Sequence, residues 1–221
     1  MTEDKNKLFI NKSNKLFDEC VEKYGESSSA VKWDNQQTQY LRFAELIKHI
    51  DINDSSKSIL DVGCGNGELY KFLNFIGYCG KYTGYDINDK LLDVSRNRFE
   101  NIDVRNIDIL SNNLKDNPKF NYVVMSGIFN TSGLDEIVND DAIKWCFAFI
   151  QNMFKLTKES LVFNAVSTFV NYRDKHIFYL DPIKTLEFCI VNLSPKVQLS
   201  HHKLPFNYTI AVHKSVDWKP I

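Results

Sequence analysis

The stretch Ser58 to Glu68, SILDVGCGNGE, decides the fold. Three apolar residues, Ile59, Leu60 and Val62, surround Asp61 and run into Gly63, Gly65 and Gly67, after which an amphipathic pattern begins. A short apolar run, a glycine cluster and a helical period make a buried strand, a tight turn and a helix start. Alternate glycines let the main chain turn sharply and let a ligand approach the backbone where a Cβ would block it. A dinucleotide fingerprint carries glycine at its sixth position, where a pyrophosphate meets the helix N-terminus. Here that position is Glu68. With Asp61 ahead of the turn, two carboxylates flank it, an arrangement that suits a ligand with a cationic end.

Downstream, Leu69, Phe72, Leu73 and Ile76 give a helix stopped by Gly77, and Lys81 to Asp86 reads as a second strand. Asp86 stands about 20 residues beyond the last glycine, the distance at which nucleotide-binding α/β folds set a carboxylate on ribose hydroxyls. Asn88 or Asp89 is left to cap the next helix, through Leu91, Leu92 and Phe99. Ile102 to Ile107 is a weaker strand followed by Asp108 and Ile109, and Phe120 to Met125 is the most hydrophobic strand, running into Ser126, Gly127 and, further on, Asn130. A long helix from about Asp135 to Leu156 puts Ile143, Phe147, Ile150 and Phe154 on one face as core material. Leu161 to Ala165 is the fifth strand, Pro182 to Leu193 a helix, and Lys196 to His202 with Asn207 to His213 a closing hairpin. Upstream, the polar segment 1–15 reads as frayed or loosely docked. A short helix follows through Leu16, Phe17, Cys20, Val21 and Tyr24. A second spans Gln36 to Ile50 with the stripe Phe43, Leu46, Ile47 and Ile50. Alternating strands and helices imply a mostly parallel sheet covered on both faces, with ligands at the carboxyl ends of the strands.

The 221 residues suffice for one large α/β domain. A net charge of -1 offers no bulk attraction to nucleic acid or to anionic membrane. Five cysteines, with no CxxC pair, read as free thiols of a reducing cytosol. No stretch approaches the ~18 apolar residues of a membrane span, so a cytoplasmic protein is expected. Five scattered histidines lack ligand spacing, and no metal site is expected.

The glycine turn with its preceding acid, followed by Asp86 and Asp108, resembles motif I and its sequel in the class I S-adenosylmethionine (SAM)-dependent methyltransferases, whose first motif is a hydrophobic strand and D-x-G-x-G-x-G. The resemblance implies a doubly wound, seven-stranded, mostly parallel sheet with an antiparallel last strand. It implies a helical cap or lid over residues 1–57 and a SAM-binding domain over 58–221, forming a single structural unit. SAM is the implied cofactor and S-adenosylhomocysteine (SAH) the product. By the same resemblance Gly63, Gly65 and Gly67 admit the amino-acid part of SAM, Asp61 orders the turn and balances the ammonium, Asp86 and Ile87 take the ribose, and Asp108 and Ile109 take the adenine. Ser126 lies beside the methyl donor. Arg42 is a candidate partner for the SAM carboxylate.

The segment with Trp33, Gln36, Gln37, Tyr40 and Arg42 resembles the N-terminal lid of small-molecule members of the family. Substrate contacts are expected from Trp33, Tyr40, Asn130, Tyr172 and Arg173, where Tyr172 and Arg173 would fix an anionic acceptor. His176, His201 and Tyr172 are the candidate catalytic groups, a histidine taking a proton from the acceptor. After the fourth strand the sequence reads SGIF in place of the [ND]PP[YF] of base-amino methylating enzymes, which clamps an extruded base. No Pro-Cys nucleophile, double-glutamate loop or catechol-type metal triad is present either. A small-molecule acceptor, methylated on oxygen or nitrogen as a metabolite or surface-glycan precursor, remains by elimination. Three alternatives stand beside it: an RNA methyltransferase docking through Lys5, Lys7, Lys12 and Lys15, an NAD(P)-dependent oxidoreductase, and a non-catalytic SAM-binding module. No motif encodes the oligomeric state.

Overall fold

The computed structural model describes residues 3–33, 35–111, 114, 117–130, 139–175 and 177–214. Seven strands form one sheet: β1 (Ser58–Val62), β2 (Lys81–Asp86), β3 (Val104–Asn106), β4 (Phe120–Met125), β5 (Thr157–Val166), β6 (Val197–Ser200) and β7 (Asn207–His213), in the order β3-β2-β1-β4-β5-β7-β6. β1 pairs in parallel with β2 and β4, β2 with β3, and β4 with β5. β7 inserts antiparallel between β5 and β6. This is the doubly wound sheet expected from the sequence. The strand order reverses between β1 and β4, and the carboxyl ends there diverge into a crevice.

Period-2 alternation distributes the core over both faces. Ile59, Tyr122, Val124 and Val162 enter one cluster with Phe43, Leu46 and Ile47 of α2 (Gln36–Ile47) and with Leu69, Phe72 and Leu73 of α3 (Glu68–Phe75). Leu60, Val62, Val123 and Met125 enter the other, with Trp145, Cys146, Phe149 and Ile150 of α5 (Asn139–Lys155) and Cys189 of α6 (Pro182–Asn192). Because both faces are covered, β4 reads as an almost unbroken apolar run. Helix starts follow local capping: Asn35 accepts from the Thr38 N–H at the head of α2, Asn88 from the Leu91 N–H at the head of α4 (Asp89–Arg98), and Asp181 from the N–H groups of Ile183 and Lys184 before α6. With Asn88 as cap, Asp86 has no capping duty.

The N-terminal segment differs from its expectation. Residues 3 to 24 form one helix, α1 (Glu3–Tyr24), in place of a frayed arm and a short helix. Its docking is polar: Asn88 donates to the Asn14 carbonyl (3.2 Å) and to Asp18 (2.9 Å), and Lys90 donates to Glu22 (2.7 Å). A polar composition read as solvated is a hydrogen-bonded interface. α2 ends three residues before the expected Ile50, which stays buried in the following turn. The start of the expected long helix, before Asn139, lies outside the described residues. Among the described residues no helix is long and apolar enough to cross a membrane, and the five cysteines form no disulfide.

Candidate functional site

A cavity of about 320 Å³ opens at the strand-order reversal. Its floor is the glycine turn. Gly63 (φ 74°) and Gly65 (φ 53°) both have left-handed backbone, and a Cβ would come within 2.5 Å of Ile128 Cδ1 at the first and 2.9 Å of Val31 Cγ1 at the second. Any other residue would be strained and would close the floor. Gly67 does not line the cavity. It is the N-cap of α3, and a Cβ there would meet the Phe99 ring at 2.9 Å, so its bareness serves the packing of α3 on α4 instead of the ligand approach expected for it.

Four of the acids singled out in the sequence line the cavity: Asp61, Glu68, Asp86 and Asp108. Asp61 is buried and accepts from Tyr82 Oη at 2.8 Å. Burial, aided by the nearby Asp86 charge and opposed by the Tyr82 hydrogen bond, pushes its carboxyl up to about 7. Asp86 Oδ2 accepts from the Gly65 N–H at 2.8 Å and Oδ1 from the Asn88 N–H at 3.0 Å. Desolvation raises its carboxyl above the usual range, and these backbone donors oppose the rise. Asp108 Oδ1 accepts from the Leu110 N–H at 2.8 Å and Oδ2 from Asn6 Nδ2 at 3.2 Å. Ile87 and Ile109 line the cavity beside them. Glu68, the acid read as barring a diphosphate, is buried in an ion pair with Arg98 and also accepts from Gln36 (3.2 Å) and Tyr40 (3.4 Å). Its charge is compensated within the protein.

Ser126 lines the cavity and shares a hydrogen bond with Asn164 (3.1 Å from Asn164 Nδ2), and Asn130 Oδ1 accepts from the Val166 N–H at 3.2 Å. Trp33 and Arg42 are also in the lining. The Arg42 guanidinium lies 4.4 Å from the Trp33 ring centroid, and a Cβ on Gly127 would be 3.2 Å from that ring. The remaining candidates are not brought in. Tyr40 packs against Phe43 and Phe72 and serves Glu68. Tyr172 is 70% exposed, and Arg173 lies over the Tyr179 ring at 5.3 Å. Their loop folds on itself after the bridge between Ser167 and Leu180 and presents Ile177 to the cavity instead. His201 stacks on Tyr208 and meets Phe169 edge-on, and it is not in the lining. His176 lies outside the described residues.

The sequence reading missed two walls. Asn6, Ile10, Ser13 and Phe17 of α1 line the cavity one helical turn apart, and Trp145 and Phe149 of α5, a helix read only as core, close the opposite side. Asn6 joins them, donating to Asp108 and accepting from Trp145 Nε1 at 3.3 Å. The alternation of polar and apolar residues along that α1 stripe hides it from a hydropathy pattern. No group of three or more potential metal ligands occurs among the described residues.

A family model described as a methyltransferase domain matches residues 53–179. A provisionally named methyltransferase of Mycobacterium tuberculosis is 29% identical over 166 residues, 72% of this chain and 93% of that protein. Among solved structures, a SAM-dependent methyltransferase from Archaeoglobus fulgidus superposes with a TM-score of 0.60 at 14% identity, over 81% of this chain and 95% of that one. The magnesium protoporphyrin IX methyltransferase of Synechocystis PCC 6803, crystallised with SAM, superposes at 0.55 and 16% identity over 81% and 79%.

Proposed function

The chain belongs to the methyltransferase-domain family and is a SAM-dependent methyltransferase, and from this premise we propose that its acceptor is a small molecule taken in beneath α1. The observation that carries the reading is the roof. α1 lays Asn6, Ile10, Ser13 and Phe17 along the cavity and is tied down at both ends, by Asn6 to Asp108 and by Asn14, Asp18 and Glu22 to Asn88 and Lys90. A nucleotide extruded from a polymer would have to displace that helix, whereas a metabolite would not. The Synechocystis relative, whose name gives magnesium protoporphyrin IX as its substrate, is a methyltransferase of the same fold with a small acceptor.

The residues present fit SAM. The glycine turn leaves room for ligand backbone contact at Gly63 and Gly65, Asp61 and Asp86 supply negative charge beside it, and Asp108, Ile109 and Trp145 form a polar and flat apolar pole at the far end. When bound, SAM supplies a methyl group on a sulfonium, which departs as a neutral thioether. The chain's part is to hold and to dry. Asp86 would anchor the ribose, and Asp108 with Ile109 would hold the adenine. Trp33, Ile128, Val166 and Ile177 give the end near Ser126 an apolar wall that excludes water from the nucleophile. The rate comes from alignment of the acceptor against the methyl group, which suits an acceptor already nucleophilic at neutral pH.

The test is transfer of radiolabelled methyl from SAM into the small-molecule and the RNA fractions of a cell extract. Label in small molecules, insensitive to salt, is expected. Label in RNA that falls steeply with salt would overturn the reading.

A further inference from the structure

Gln39 is a polar side chain of this cavity that the assignments above leave unused. It is 2% exposed, lines the cavity, and its Oε1 is buried with no hydrogen-bond partner among the described residues. A buried carbonyl oxygen left unpaired costs about 1–3 kcal/mol, and such a group inside a ligand cavity is satisfied when the ligand brings a donor.

Its neighbours on α2 fix which part of the ligand it meets. Gln36 and Tyr40 reach Glu68, the first residue of the helix after the glycine turn, and Arg42 lies over Trp33, the ring that covers Gly127 at the end of β4. Gln39 sits between these two anchors, above the gap from the glycine turn to Gly127. The adenine pole, with Asp108, Asn6 and Trp145, is at the other end of the cavity. The gap is where SAM's amino-acid part belongs, and the donor there is the α-ammonium. A side-chain carbonyl oxygen accepts a hydrogen bond from an ammonium.

We infer that Gln39 is a specificity residue for the α-ammonium of SAM, its side-chain oxygen accepting a hydrogen bond from that group across the glycine turn. The inference rests on the SAM-dependent reading and extends it to a residue on the helix preceding the fold's first strand. Gln39 thereby couples the position of α2, and of Trp33 beneath Arg42, to the presence of the amino-acid end of the ligand.

The test is calorimetric titration of the full chain with SAH and with methylthioadenosine, which lacks the amino-acid moiety. Gln39→Leu is expected to weaken SAH about ten- to hundredfold, the value of a hydrogen bond to a charged donor, and to leave methylthioadenosine within about twofold of wild type. Gln39→Glu keeps an acceptor oxygen in place and is expected to retain SAH affinity. Thermal unfolding of the ligand-free Leu variant, no earlier than wild type, separates the effect from misfolding, because the substitution removes an unpaired buried oxygen. If the Leu variant fails to fold, Gln39→Met takes its place with the same expectation. SAH affinity unchanged in the Leu variant would overturn the inference and move Gln39 to the acceptor side. A Glu variant weakened as much as the Leu variant would overturn it too, showing that the side chain donates to the ligand carboxylate. Wild-type protein that binds neither SAH nor methylthioadenosine would defeat the SAM-dependent reading itself, while methylthioadenosine binding without SAH binding would defeat only the inference.

Discussion

Replacing Asp86 by Asn separates the ligand role of this carboxylate from its structural one. In the protein its oxygens hold the Gly65 N–H at 2.8 Å and the Asn88 N–H at 3.0 Å, so they fix both loops that border the cavity, which Asp86 itself lines. An asparagine keeps an acceptor for Gly65 but sets its NH2 against the Asn88 N–H, at a cost of about 1–3 kcal/mol. The loss of a desolvated charge, whose strain shows in its raised pKa, offsets part of that cost. Stability should therefore change little, with unfolding within a few degrees of wild type. Binding should not be spared. Each hydrogen bond to a charged group is stronger than a neutral one by about 1 kcal/mol or more, and two ribose hydroxyls make the expected loss about 2–3 kcal/mol, or about thirty- to hundredfold in Kd. Calorimetry with SAH on the folded variant measures it. An affinity within about threefold of wild type would refute the ribose assignment.

Two further outcomes follow from the same geometry. Asp61 carries a folded-state pKa of about 7 against an ordinary 3.8. Its contribution to stability is therefore present below about pH 4 and lost as pH rises through 7, while affinity for the ammonium end of SAH rises over the upper part of that range as the carboxyl ionises. Asp61→Asn should flatten both profiles, and profiles unchanged in the variant would remove Asp61 from the ligand's cationic end. Asn6→Ala removes the links from α1 to Asp108 and Trp145. At about 0.5–1.5 kcal/mol per hydrogen bond, amide exchange in the first turns of α1 should quicken several-fold with SAH affinity falling alongside, and exchange at the wild-type rate would show that the roof is held elsewhere.

Where the chain packs on both faces of the sheet, the sequence carried the answer. β1 ends where its apolar run meets Gly63, β2 begins after Gly80, β7 begins at Asn207, and Asn88 stands where a cap was needed. What was not legible is what one element does to another. Of the α5 stripe Ile143, Phe147, Ile150 and Phe154, the last two are buried in the core as expected, yet Phe147 stacks on Phe188 of α6 at 4.2 Å, and Trp145 and Phe149 line the cavity. That division depends on where α6 lies. α1 escaped because its cavity-facing stripe pairs Asn6 and Ser13 with Ile10 and Phe17, half polar and half apolar, and its other contacts are hydrogen bonds to Asn88 and Lys90 that leave no hydropathic trace. Tyr172 and Arg173 drew attention by composition alone, and their loop closes on Tyr179 instead of on the site.

The preference for a cationic ligand over a diphosphate also changes its basis. The sequence pattern points to Glu68, but Arg98 neutralises that carboxylate. What remains is the turn's own bookkeeping of donors: the N–H groups of Gly63 and Cys64 go to the Tyr85 carbonyl, that of Gly65 to Asp86, and that of Gly67 to the Cys64 carbonyl. A pyrophosphate at a glycine turn is held by such N–H groups, and at these four positions they are spent. The nearest charges left facing the cavity are Asp61 and Asp86. NADH should therefore show no binding in a titration that saturates with SAH. Arg98→Met, which frees the Glu68 charge, should destabilise the fold by about 3–5 kcal/mol, as removal of one partner from a buried ion pair does, without admitting the dinucleotide. Competition of NADH with SAH in the wild type would show that the turn's donors rearrange around phosphate, and would undo the reasoning from the donors upward.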